Sequence, residues 1–200
     1  QNRLTATFPQ KMGTFYDSAF KNEPNTDWSS KTNRIWAQEI RQRWKKNPED
    51  EPLEIPIVVA GGEIFSGREL RQGVDPSQIN AKVVVARFAM ANAEDVARAV
   101  AVAKADPDGW RQKTWSQRHR ILSKVAMEIR KARGDLIGAA AATTGKVFTE
   151  ADVEVSEAVD FSEYYPYSAK TFTEMENVRC RGKGVGVVIS PWNFPIAIPC

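Results

Sequence analysis

Along the middle of the chain, apolar and polar residues follow two different rhythms, and each rhythm marks a different kind of element. Residues 56–60 and 63–66, on either side of Gly61-Gly62, predict two short strands joined by a Gly-Gly turn, a hairpin. After turn-rich residues 73–77, the Val-rich and partly alternating run 81–88 predicts a third strand. The period then becomes helical. Asn92, with Asp95 three residues on, starts a helix whose Val96, Ala99, Val100 and Ala103 form one apolar stripe and which ends before Asp106-Pro107. A second helix begins near residues 114–116, turns Leu122, Val125 and Ile129 inward, and stops at Gly134, a residue suited to a left-handed position past a helix end. A third, alanine-rich, covers 135–144 and ends at Gly145. A fourth starts at Thr149 with Asp152 three residues later, runs through Val155, Ala158, Val159 and Phe161, and is expected to bend or end at Pro166.

Residues 1–50 are polar and contain one short amphipathic stretch, 33–44, with Ile35, Trp36, Ile40 and Trp44 near helical spacing. Residues 22–30 have turn chemistry throughout. Residues 1–50 are therefore expected to be a connecting segment ahead of a module spanning 51–200. At the other end, the glycine-flanked apolar run 184–189 shows no alternation, which predicts a strand buried on both faces of a parallel sheet. The order of hairpin, helical layer and first parallel strand places the chain in the α/β class, with a sheet still lacking strands at Cys200.

Composition narrows the function. The 200 residues suffice for one domain with a core. Lys and Arg (28) exceed Asp and Glu (25) by three, too slight a balance to suggest nucleic acid. The basic runs 41–46 and 130–133 fit solvated helix faces better than a phosphate-tracking patch, because no aromatic platform accompanies them. The apolar stretches are interrupted well short of the roughly 18 residues a membrane span needs. Residues 1–14 lack the basic and apolar regions of a secretory signal, so a cytoplasmic location is expected. Two cysteines and a single His119 offer neither a disulfide framework nor a metal cluster, and no metal is expected.

Two stretches invite a chemical reading. Gly182, Gly184 and Gly186 resemble a phosphate loop, but glycines that cradle a pyrophosphate follow a strand, and these precede one. A flexible entry into the strand accounts for them better. Ser190-Pro191-Trp192-Asn193-Phe194 should leave the sheet at the rim where α/β proteins bind ligands. Two prolines hold an amide donor between aromatic walls there. Such a donor can stabilise a developing oxyanion, worth about 3 kcal/mol in other enzymes; a structural turn with packed aromatics fits the same residues.

The run GVGVVISPWNFPIAIPC closely resembles the signature of the aldehyde dehydrogenase superfamily, and NAEDVARAVAVAKA, RHRILSKVAMEIR and TTGKVFTEADVEVSEAVDFSEYY follow the family's order. The resemblance covers about residues 51–200. It implies the N-terminal part of the aldehyde dehydrogenase fold, with an incomplete Rossmann-like sheet. It further implies that Asn193 donates to the thiohemiacetal oxyanion, that Ile189, Ser190, Pro191 and Trp192 line the cofactor site, and that Phe194 walls the aldehyde tunnel. Glu157, with Tyr164-Tyr165, resembles the helix of glutamate-semialdehyde (Δ1-pyrroline-5-carboxylate) dehydrogenases, where a Glu meets the substrate's ammonium; taken by itself it would be a solvated helix carboxylate. Residues 20–27 look like the joint of bifunctional proline utilisation A proteins, so FAD would belong to a separate proline dehydrogenase module absent here. The implied coenzyme is NAD or NADP, the partner a small aldehyde, and the assembly a homo-oligomer. The family's nucleophilic Cys and general-base Glu are expected beyond Cys200, which leaves these residues alone inactive; another semialdehyde as substrate, or a non-catalytic association role, are the alternatives.

Overall fold

The computed structural model describes residues 20–200; the signal-peptide reading of residues 1–14 lies outside them. Five helices and five short strands make up the described part: α1 Lys31–Trp44, β1 Leu53–Ile55, β2 Ile57–Val59, β3 Gly62–Ile64, β4 Leu70–Val74, β5 Val84–Ala89, α2 Ala93–Ala105, α3 Trp115–Lys131, α4 Arg133–Thr144 and α5 Phe148–Thr173.

The expected hairpin forms, with β2 antiparallel to β3 and Ile57 opposite Ile64. Its turn, however, is Ala60-Gly61, both at positive φ, and Gly62 belongs to β3. A two-residue hairpin turn needs left-handed backbone at both central positions, and register with Val59 places them one residue earlier than Gly61-Gly62. The third expected strand is β5, the centre of a second sheet in the order β1-β5-β4; β1 runs parallel to it and β4 antiparallel. Neither flanking strand showed in the sequence, because LEI is too brief to display a period and LRQGV is polar and glycine-bearing.

Two helices start as their sequences direct. Asn92 and Asp95 exchange capping hydrogen bonds at α2, and Thr114 and Gln117 do so at α3. The apolar stripe of α2, by contrast, is not buried: Val96 is 55% and Val100 37% exposed, since little but β2 approaches this helix among the described residues. On α3, Leu122 and Ile129 are half-buried as expected, whereas Val125 is exposed and Ala126 takes the fully buried place.

Gly134 does not end α3. That helix stops at Lys131, and Gly134 lies in the first turn of α4. Its service is space: a Cβ there would stand 3.1 Å from the Trp36 ring, and one at Gly138, a turn later, 2.1 Å from Trp44. Two glycines thus open a face of α4 to the indoles of α1. The left-handed position falls instead to Gly145, at φ 71°, which ends α4 as expected.

α5 differs from its expectation at both ends. The cap is Val147, not a Thr149 and Asp152 box, and Asp152 is instead buried in an ion pair. Pro166 neither ends nor breaks the helix, which continues to Thr173. An interior proline costs a helix about 3 kcal/mol, and the long packing of α5 along α3 offsets it. The core centres on Ile137 and Ala140 of α4 with Ala151 and Val155 of α5, ringed by Trp28, Trp36, Phe148 and Ile196.

Residues 184–189 are not the buried strand their composition suggested. They have no regular structure, and Val187 (80%) and Ile189 (86%) are among the most exposed apolar residues described. A strand exists through its ladder, and none of the described residues pairs with this run. No helix among the described residues is long and apolar enough to cross a membrane.

Candidate functional site

The site is built on one flank of α5. Ala151, Val155 and Ala158 recur at the three- and four-residue spacing of a buried face, and the same packing draws two carboxylates inside: Asp152 and Glu154, both almost fully buried. Each is completely engaged, as buried charge requires. Asp152 binds Arg133 at 2.5 Å and accepts from the Thr26 amide and hydroxyl at 2.6 and 2.7 Å. Glu154 faces the opposite way. One of its oxygens accepts from Lys146 Nζ at 2.6 Å, and the other from the backbone amides of Ile196 (2.6 Å) and Ala197 (3.0 Å).

Lys146 follows Gly145 in the short link between α4 and α5, so the left-handed glycine sets its approach. Its ammonium also donates to the Asn193 carbonyl at 2.9 Å and sits 4.7 Å from the centre of the Phe194 ring. A hydrogen bond of 3.2 Å from the Phe194 amide to the Pro191 carbonyl closes the turn between them. The stretch 191–197 is thereby tied to α5 at two backbone amides and to Lys146 at one carbonyl.

Between this stretch and α5 lies a cavity of about 620 Å³, lined by Thr144, Gly145, Lys146, Thr149, Glu150, Val153, Glu154, Glu157, Trp192, Asn193 and Phe194. Four residues singled out in the sequence meet there: Glu157, Trp192, Asn193 and Phe194. Ile189, Ser190 and Pro191 do not line it; Ile189 and Pro191 are exposed on the approach to the turn, and Ser190 is half-buried. Chemically, the cavity offers an amide that can donate, a half-buried carboxylate that can pair with a cation, and aromatic walls. No cysteine lines it; Cys200 lies against Ser162 and Ala158, its sulfur 3.6 Å from the Ser162 hydroxyl.

Lys146 and Glu154 escaped the sequence reading. A lone lysine after a glycine carries no pattern, but Glu154 had one: it stands between Ala151, Val155 and Ala158 on the buried side of its helix. Farther along α5, burial works to raise the Glu163 pKa, and hydrogen bonds from His119 and Ser123 with the charge of Arg130 outweigh it, so the carboxyl ends below its ordinary value. Upstream, Glu23 bridges Arg130 and Arg133, its amide donates to Asp160 at 2.6 Å, and Phe20 packs edge-on against Tyr164.

The model of the aldehyde dehydrogenase family matches residues 68–200. A 1-pyrroline-5-carboxylate dehydrogenase of Bacillus mycoides (strain KBAB4) is 32% identical over 190 residues, 90% of this chain and 36% of that protein. Among solved structures, 1-pyrroline-5-carboxylate dehydrogenase from Thermus with bound NAD superposes with a TM-score of 0.78 at 27% identity, over 90% of this chain and 36% of the other. Proline utilization A from Bdellovibrio bacteriovorus, inactivated by N-propargylglycine, gives a TM-score of 0.76 at 28% identity, over 96% of this chain and 20% of the other. The chain thus spans little more than a third of the curated relative it matches.

Proposed function

The chain belongs to the aldehyde dehydrogenase family, and on that premise we propose that it is the opening part of an enzyme module that oxidises L-glutamate 5-semialdehyde, the open form of Δ1-pyrroline-5-carboxylate, to L-glutamate with NAD⁺ or NADP⁺. The reading is supported above all by one juxtaposition: Asn193, on the tied loop, and Glu157, on α5, line the same cavity. In this reading the Asn193 side chain donates to the oxygen that becomes charged when a nucleophile adds to the aldehyde. Glu157 meets the substrate's ammonium as a charge-assisted partner. Phe194 walls the passage for the carbon chain and excludes water.

For the coenzyme, the exposed apolar surfaces of Ile189 and Trp192 fit one flank of a dinucleotide, with Ser190 and Pro191 between them. The bound group would supply the hydride acceptor. Neither Cys180 nor Cys200 lines the cavity, so in this reading the nucleophile is supplied from elsewhere in the module, and the residues by themselves should not reduce NAD⁺ with the semialdehyde.

In the protein that carries this segment with the remainder of the family module, Asn193→Ala should lower kcat roughly 10²- to 10³-fold while coenzyme titration stays unchanged. Full turnover by that variant would overturn the assignment. A panel of semialdehydes tests the substrate: Glu157→Ala should lose selectively those bearing an amino group, and uniform losses would point to another semialdehyde.

A further inference from the structure

The contacts of Lys146 and Glu154 do more than fill a buried space. Glu154 is 1% exposed and spends both oxygens on the same loop, one directly on the amides of Ile196 and Ala197, the other through Lys146. Lys146 passes the grip to the carbonyl of Asn193 itself and lies over the ring of the next residue. The residue whose side chain must be aimed is therefore held by its own backbone oxygen on one side and by two amides three and four residues on. Between the α5 carboxylate and Asn193 stands a single ammonium.

We propose that Lys146 and Glu154 are positioning residues for Asn193, an ion pair of a half-buried lysine and a buried carboxylate that fixes the loop so that its amide faces the cavity. The proposal rests on the reading of Asn193 as the oxyanion donor. Neither side chain needs to touch substrate. Their effect is on where the Asn193 amide stands when charge develops, and a shift of about 1 Å in such a group can cost on the order of 10²-fold in rate.

The test separates positioning from mere stability. In the protein carrying the whole module, Lys146→Met should lower kcat roughly 10- to 100-fold with KM for the aldehyde within about threefold, and Lys146→Arg should recover most of it. Lys146→Met also strands the Glu154 charge, so its melting temperature should fall. The double variant Lys146→Met/Glu154→Gln leaves no buried charge unpaired and should regain the melting temperature without regaining kcat, because the tie to the Asn193 carbonyl stays cut. If kcat returns with stability, or never fell, the pair is structural and the proposal is overturned. Amide hydrogen exchange keeps this distinct from the proposed function: Glu154→Ala should speed exchange at Ile196 and Ala197 at least tenfold while the Val155 amide keeps its protection. That result stands even in a protein that oxidises no aldehyde, whereas unchanged exchange refutes the tether itself.

Discussion

Arg68 grips the Asp95 carboxylate with two hydrogen bonds of 2.7 and 2.8 Å, and the same carboxylate caps α2 by accepting from the Asn92 amide. Arg68 first, then that amide, holds the Asp95 pKa down to about 2, against an ordinary 3.8. A carboxyl lowered on folding stabilises the fold above its unfolded value and loses that contribution as pH falls through the folded one. Thermal melts between pH 5 and pH 2 should therefore decline in a window from about 3.8 down to about 2, and Asp95→Asn should flatten the decline. At Arg133 and Asp152 the setting is drier, with side chains 5% and 1% exposed. Arg133→Ala leaves a charge inside with only Thr26 to satisfy it, and should cost about 3–5 kcal/mol in urea unfolding. The Asn92–Asp95 cap pair was legible because capping chemistry is local in sequence, while the same signal at Thr149 and Asp152 misled. The Asp152 and Glu154 partners were not, since Thr26 and Ala197 lie 126 and 43 residues away.

At the scale of elements, the helices and the hairpin were readable, and the flanking strands β1 and β4 were not. A helix of 12 or more residues repeats its pattern several times, whereas β1 and β4 gain their identity only from pairing with β5. Gly134 shows the limit on the helical side: glycine fits a helix end and a close approach equally well, and only the Trp36 ring decides between them. Its neighbour gives a sharp test. Gly138→Ala raises helix propensity yet drives a methyl into the Trp44 indole, whose Nε1 donates to Asp135. The variant should lose about 1–3 kcal/mol, read by thermal melting, with a changed tryptophan emission as α1 shifts. Pro166 teaches the same lesson from the other direction, because the packing of α3 on α5 overrides a local veto.

Across the whole molecule, the α/β class and family are visible in the sequence, and the run at 184–189 forms no strand because a strand belongs to its sheet and not to its own residues. Its exposed apolar side chains, with the uncovered stripe of α2, favour association. Sedimentation of these 200 residues should show mass rising with concentration, and Val96→Lys/Val187→Lys should bring it back to one copy.

The two carboxylates on α5 have a further bearing. Asp152 takes hold of Thr26 near one end of the described chain, and Glu154, two residues on, takes hold of Ala197 near the other. Thr26 must wait more than a hundred positions for its seat, and the loop at 191–197 finds its own within about forty. The stretch around Thr26 is thus placed late, bound to a slow, long-range closure, and slowing translation across α5 should lengthen the time for which it stays open to proteases.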